Sequence, residues 1–251
     1  MNYYLESIIF EEIFNGNLKV NKKVTYNNIG LIEYKKAWDY QEYLFDKIQV
    51  AKELNQKGKD NLLTPNYMLF CEHPHVYTIG KSGNPKNLLI TDEFLASKNA
   101  TLFKINRGGD ITYHGPGQLI GYPILDLDNF KVSIKEYVYG LEEAIINVLQ
   151  YYNISGSRMD GATGVWLDAG NPLKERKICA FGIRASHLVT MHGFALNVNT
   201  NLEYFGYIVP CGLKDKGVTS LQNEIGKPID MQEVKTLIAG ELKKIFGMEF
   251  I

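Results

Sequence analysis

"RGGDITYHGPGQLIG", residues 107–121, gathers five glycines, an arginine, a tyrosine and a histidine into fifteen positions. That is too much glycine for a helix and too much polarity for an ordinary core strand. Gly108 and Gly109 let the backbone take positive φ and let a ligand approach it without a Cβ in the way. His114–Gly117, "HGPG", is a strong turn signal. Two readings follow. One is a tight hairpin whose polar residues face water. The other is a loop whose amides, with the side chains of Arg107, Tyr113 and His114, line a pocket. A phosphate loop is excluded, because neither the GxxxxGK[ST] spacing nor its lysine is present.

Outward from this stretch the chain mixes strands and helices without a repeat or a low-complexity linker. Residues 34–57 read as a helix, with Ala37, Leu44, Ile48 and Ala51 spaced at +7, +4 and +3. A second helix starts at Ser133, where Glu136 completes a capping box and Ile134, Val138, Leu141, Ile145 and Val148 form the apolar stripe. A third starts near Asp230 with Glu233 in the same relation. Short strand-like runs lie between them: YMLFC, VYTIG, TLFKI, LIGYPILDL, GVWL, KICAFGIRA and VTMHGFALNV. Strands grouped between helices without regular βαβ alternation predict an α+β fold with a mixed or antiparallel sheet and flanking helices. Residues 1–25 read as an N-terminal appendage and residues 26–251 as a single domain.

Composition narrows the function classes. Hydrophobic residues make up 45% and charged residues 22% of the 251, with a formal charge of -1. This is ordinary globular composition and excludes a strongly basic nucleic-acid binder. The acidic N-terminus and the lack of a long apolar run argue against a signal peptide or a membrane span. Three cysteines, Cys71, Cys179 and Cys211, make neither a disulfide framework nor a CxxC site. Their odd, sparse number suits a reducing compartment, and a cytoplasmic location is expected.

Further stretches carry chemistry-bearing residues. "EHPHVYTIG" (Glu72–Gly80) holds His73 and His75 in an HxH pair, but no third or fourth ligand stands at recognisable zinc spacing. "KICAFGIRA" opens a strand with Lys177, and "MHGFALNVN" sets His192 beside a glycine; each histidine is a satisfied core residue or a site residue. In "VPCG", Cys211 sits between proline and glycine, in a turn that exposes thiol and amides together. Cys71 and Cys179 fall inside apolar runs and read as core.

Together, "RGGDITYHGPGQLIGYPI", "KICAFGIR", "HGFALNVN" and "PCG…VTSL" resemble the motifs of the lipoyl(octanoyl) transferases. The resemblance runs in the family's order from about Tyr26 to Leu221 and takes in "LIEYKKAWDYQEYL" and "EHPHVYTIG". It implies the biotin/lipoate protein ligase catalytic-domain fold for residues 26–251. It implies transfer of octanoyl from octanoyl-acyl carrier protein to a lysine of lipoyl domains, in 2-oxoacid dehydrogenase E2 subunits and the glycine cleavage H protein, as the first step of protein lipoylation. By resemblance the acyl group passes through a thioester on Cys211, with Lys177 as its partner. Substrate contacts carry over to Arg107, Gly108, Gly109, Asp110, Ile111, Thr112, Tyr113 and His114, to Ala180, Phe181 and Gly182, and to Gly193, Phe194 and Ala195. No cofactor and no metal is implied, and neither nucleic acid nor membrane is a partner. Two features depart from the family: Ala185, Ser186 and His187 follow "GIR" where basic residues are frequent, and "DAGNPLKERK" before Lys177 is long.

The implied chemistry suits these residue types. Thioester-to-amine transfer needs a nucleophile that also leaves well, and thiolate does both. A nearby ammonium favours the thiolate and can pass a proton as the amine attacks. An ATP-dependent ligase shares the fold but would not require Cys211. A cysteine hydrolase using His114 or His192 would release free acid, and an acyl-binding protein would need the pocket alone. Lys174, Arg176, Lys177 and Arg184 against Glu175 alone also suggest a basic face for an acidic carrier protein.

Overall fold

The structure, a computed structural model, describes residues 20–58, 62–209 and 216–251. Among these residues, twelve strands are arranged in two sheets. In chain order they are β1 (Lys23–Leu31), β2 (Tyr67–Glu72), β3 (Val76–Ile79), β4 (Thr101–Lys104), β5 (Ile111–His114), β6 (Gln118–Ile124), β7 (Gly156–Ser157), β8 (Val165–Leu167), β9 (Arg176–Ser186), β10 (Val189–Asn197), β11 (Gly217–Val218) and β12 (Glu249–Phe250). The large sheet runs β12-β1-β2-β6-β10-β9-β8-β7, with β11 added beside β9; the small one is β4-β3-β5. Both mix parallel and antiparallel pairs.

The helices are α1 (Tyr34–Gln56), α2 (Asp92–Ser97), α3 (Ile134–Tyr151), α4 (Leu221–Ile225) and α5 (Met231–Phe246). The capping box at Ser133 forms as its spacing predicts, closing the first turn of α3 from both sides. At α5 the cap differs from the expected one: Asp230 accepts from the Gln232 amide at 2.8 Å. Helices α3 and α5 cover one face of the large sheet with Leu141, Ile145, Val234, Ile238 and Leu242. Helix α1 covers the other with Ala37, Leu44, Phe45 and Ile48. Of the expected stripes, Ala37, Leu44 and Ile48 in α1 and Leu141, Ile145 and Val148 in α3 are buried, whereas Ala51 and Val138 are half-buried and Ile134, in the first turn of α3, is 43% exposed.

Two expectations change. The hairpin reading of residues 107–121 is wrong: β5 pairs with β3 in the small sheet, whereas β6 pairs with β2 and β10 in the large one. The HGPG turn thus carries the chain between sheets. The boundary between residues 25 and 26 falls inside β1, whose Lys23 and Val24 already pair with Glu249 and Phe250. Val24 is fully buried, so burial holds the sheet together from there. Residues 1–19 of the appendage lie outside the described residues.

One buried ion pair ties α1 to the sheet. Lys52 Nζ reaches Asp126 Oδ1 at 2.5 Å and Asp128 Oδ2 at 2.6 Å, while Thr64 Oγ1 donates to Asp126 Oδ2 at 2.8 Å. Lys52→Met should cost about 3 kcal/mol, because it leaves the buried Asp126 carboxylate without its cation. Urea denaturation checks this, with Lys35→Met, in an exposed pair with Asp39, as the near-neutral control.

Candidate active site

Between the two sheets lies a cavity of about 470 Å3. Every substrate contact expected from the sequence borders it except Tyr113. Ile120, Val138, Phe181 and Phe194 supply apolar wall. The sheet register gives it an axis. Lys177 lies near the start of β9; His192 pairs with Ile183, six residues along that strand, and the Gly108 amide donates to the Ile183 carbonyl at 3.2 Å. At ~3.3 Å per residue, the Lys177 and His192 ends stand roughly 20 Å apart.

At one end, Lys177 Nζ donates to the Thr163 carbonyl at 3.2 Å and lies 4.6 Å from the centre of the Trp166 ring. Lys216 reaches the same ring at 5.8 Å and pairs with Glu175. Cys211 lies outside the described residues. The chain on either side of it is anchored, with the Val209 amide on the Asn87 carbonyl at 2.8 Å and Val218 paired with Lys177.

At the other end, the Arg107 guanidinium is buried and donates to the Thr78 carbonyl at 2.7 Å, to its hydroxyl at 2.9 Å and to the Gly108 carbonyl at 2.9 Å. Gly109 holds φ at +87°, which a side chain would strain, and a Cβ on Gly182 would stand 2.8 Å from Arg107 Cδ. The glycines thus let β9 and the 107–110 loop close around one buried cation. Asp110 also borders the cavity, but its carboxylate serves the loop, accepting from the amides of Asn84 (3.0 Å) and Ile111 (2.7 Å) and from Asn87 Nδ2 (2.5 Å).

Tyr113 does not face the cavity. Successive strand side chains point to opposite faces, and Tyr113 turns into the small sheet's aromatic core. There it stacks on Tyr204 at 5.0 Å, and its hydroxyl is 2.7 Å from His75 Nδ1. His73 and His75 do not converge on a shared point. His73 donates through Nδ1 to the Ile32 carbonyl at 2.7 Å, so its Nε2 accepts from the Tyr122 hydroxyl at 2.8 Å. His75 lies flat on Tyr204 at 4.1 Å. Cys71 and Cys179 are fully buried, as the apolar runs around them predict.

His114 and His192 both border the cavity, and acceptor-only groups fix their tautomers. Glu42 accepts from Asn106 Nδ2 at 2.9 Å, so Asn106 Oδ1 accepts from His192 Nε2 at 2.8 Å and His192 Nδ1 is left bare. That nitrogen is buried with no partner among the described residues, and His192 sits at φ +60°, an uncommon conformation for a residue with a side chain. Sequence reasoning missed Gln118, Trp166, Asn197 and Lys216, whose signal is weak because each resembles a solvated or core residue until the strands are paired. In the basic stretch, two of the four cations are paired within the chain. Arg176 is held by Asp168 and Glu224, and Arg184 by Glu42, so their charges are met within the chain.

Burial holds three imidazoles neutral, lowering His73 to about 4 and His114 and His192 to about 3. Unfolded histidine titrates near 6.5. Between these values the unfolded chain binds more protons, so folding stability falls as pH drops from about 6.5 toward 4. Thermal melts at pH 7 and pH 5 should show a lower Tm at pH 5, with a smaller difference in His73→Asn.

Comparison with known proteins accords with this architecture. Residues 33–243 match the model of the lipoyl protein ligase A/B catalytic domain. An octanoyltransferase of Christiangramia forsetii is 54% identical over 231 residues, covering 92% of this chain and 98% of the relative. One of Cytophaga hutchinsonii is 53% identical, covering 91% and 94%. Among solved structures, an archaeal bipartite lipoate protein ligase from Thermoplasma acidophilum superposes with a TM-score of 0.67 at 13% identity, over 92% of this chain and 86% of that one. A lipoate-protein ligase A bound with ATP gives 0.64 at 12%, over 92% and 87%. At such identities these two speak to the fold alone. The motifs of residues 107–121 and 177–195, the mixed sheets that bring them around one cavity and the high identity to octanoyltransferases agree: this chain belongs to the lipoyl protein ligase A/B catalytic-domain family, on its octanoyltransferase branch.

Proposed function

We propose that the chain takes octanoyl from octanoyl-acyl carrier protein onto Cys211 and passes it to a lysine of a lipoyl domain, in E2 subunits of 2-oxoacid dehydrogenases or in the glycine cleavage H protein. The observation that carries this reading is the slot between the sheets. It is lined with apolar side chains along its length, and Lys177 stands at one end, paired by register with Val218, seven positions after Cys211. An acyl chain needs the apolar wall, and a thiolate needs the cation. The expected substrate contacts from Arg107 to Thr112, with His114, Ala180, Phe181, Gly182, Gly193, Phe194 and Ala195, border that slot.

The cycle balances with this pair alone. Cys211 thiolate attacks the donor carbonyl, and the tetrahedral intermediate expels the carrier's thiolate, which takes a proton from the Lys177 ammonium. The acceptor lysine, as the free amine, then attacks the Cys211 thioester. Its lone pair forms the C–N bond, the C–S bond breaks with its electrons returning to Cys211, and the proton shed by nitrogen goes to the now neutral Lys177. Thiolate and ammonium are restored. Arginine would not serve in this cycle, because its guanidinium does not give up a proton.

Mass spectrometry after incubation with octanoyl-acyl carrier protein tests the reading. An octanoyl adduct on Cys211 should form and disappear when lipoyl domain is added, and Cys211→Ala should show neither adduct nor transfer. Lys177→Met should move the midpoint of Cys211 alkylation to higher pH, since removing a cation destabilises the thiolate. Lys177→Arg should acylate Cys211 and stall at transfer. One shared midpoint for wild type and Lys177→Met would exclude Lys177 as the thiolate's partner.

A further inference from the structure

We propose that Glu142 is a positioning residue for Lys177. Its carboxylate holds the peptide plane between Thr163 and Gly164, so that the Thr163 carbonyl faces the ammonium and accepts from it more strongly. The inference rests on the acyltransferase reading above, in which Lys177 partners Cys211, and adds a residue and a role to it.

One peptide plane touches both groups. Its N–H, on Gly164, donates to Glu142 Oε1 at 2.9 Å, and its carbonyl, on Thr163, accepts from Lys177 Nζ at 3.2 Å. In a trans peptide these two groups point in opposite directions, so the plane lies between carboxylate and ammonium. A carboxylate on the N–H pushes electron density toward the far oxygen, and linked hydrogen bonds strengthen one another in a buried setting. Glu142 is itself fixed: it is buried on α3, and its Oε2 accepts from Arg158 Nε at 3.1 Å. Arg158 is held in turn by Glu143 at 2.8 Å and by the Tyr139 ring, whose centre is 3.5 Å away.

Gly164 explains why this plane needs an anchor. Its φ of +143° suits glycine alone, and a Cβ there would stand 3.1 Å from Lys177 Cε and 2.9 Å from the Cys179 carbonyl. The glycine lets the lysine stem pass this close, and the same freedom lets the 163–164 plane turn over. Turned over, it would aim an N–H at the ammonium and a carbonyl at the Glu142 carboxylate, and both contacts are repulsive. The Glu142–Gly164 bond therefore selects the orientation that serves Lys177. Trp166 braces the same loop: its ring faces the ammonium at 4.6 Å, and its Nε1 donates to the Ala162 carbonyl at 2.9 Å. Strands β8 and β9 shift register between Val165 and Trp166, opposite Lys177, and such irregularities re-aim a side chain beside a site. Gly161, Ala162 and Thr163 border the cavity whereas Glu142 does not, so its effect on Lys177 passes through the backbone. A four-carbon stem leaves an ammonium free to wander, and a thiolate gains from a cation only within about 4–6 Å. Fixing the ammonium fixes what Lys177 can do for its partner.

Carbon-13 NMR of the lysine Cε signals in the full chain follows the titration of Lys177, with Lys177→Arg assigning its resonance. Loss of the carboxylate weakens the acceptor and disfavours the charged form, so Glu142→Leu should move the midpoint down by about one unit. Glu142→Gln keeps an oxygen for the Gly164 amide without the charge, and should move it down by less. Glu143→Gln, which touches Arg158 but not the peptide, should leave it in place. Alkylation of Cys211 in Glu142→Leu should shift to higher pH, in the direction of Lys177→Met but by less. An unmoved Lys177 midpoint in Glu142→Leu overturns the inference, and the same result in Glu142→Gln overturns it should Glu142→Leu fail to fold. So does an equal shift in Glu143→Gln, which would assign the effect to charge acting through space. Cys211 alkylation that responds to Lys177→Met but not to Glu142→Leu overturns it as well. Alkylation that responds to neither overturns the thiolate–ammonium pair of the reading above, while the Lys177 titration still decides whether Glu142 holds the lysine.

Discussion

Strand β10 is buried along its whole length and hydrogen-bonded on both edges, to β6 and to β9. The rest of the molecule is arranged around that constraint. Phe194 and Leu196 join the core under α3 and α5, while Val189, Met191 and Ala195 join the core under α1. A strand in this position cannot leave a polar group facing water, so each one it carries must find a partner inside. Thr190 donates to the Pro123 carbonyl at 3.0 Å, Asn197 links Gln118 to Thr219, and His192 meets Asn106. The histidine keeps one nitrogen bare, and it borders the cavity.

Electrostatics in the cavity follow from the same burial. Arg107 lies within the wall with its guanidinium committed to Thr78 and Gly108, and it helps to keep both neighbouring imidazoles neutral. A fixed cation beside neutral acceptors gives a surface that orients polar groups without exchanging protons at ordinary pH. At the other end Lys177 lies over the Trp166 face and close to the Thr163 carbonyl. An aromatic face stabilises an ammonium yet forms no covalent or strongly directional bond to it.

Much of the architecture was legible in the chain because its signals are local. The stripes of α1 and α3 needed only 3.6-residue spacing, and the Ser133–Glu136 box needed only three residues of separation. The glycine cluster at residues 107–121 marked the site for a similar reason, since a stretch of polar side chains on permissive backbone is rarely spent on packing. The hairpin reading failed there because turn chemistry reports that the chain bends and does not say which strand receives it. Tyr113 failed for a related reason: a motif gives a run of residues, while the pleat sends neighbours to opposite faces.

The sequence by itself determined the α+β class, the motif order and, through resemblance, the family; these depend on residue type and spacing. Tertiary structure decided which polar groups meet. Gln118, Asn197 and Thr219 stand far apart in the chain and carry no shared motif, yet strand pairing sets them end to end. The same holds for Arg176 and Arg184, which read as a basic face and fold into ion pairs with Glu224, Asp168 and Glu42. Hydrogen bonds and ion pairs act over about 3 Å, and only the folded sheet brings distant residues within that range.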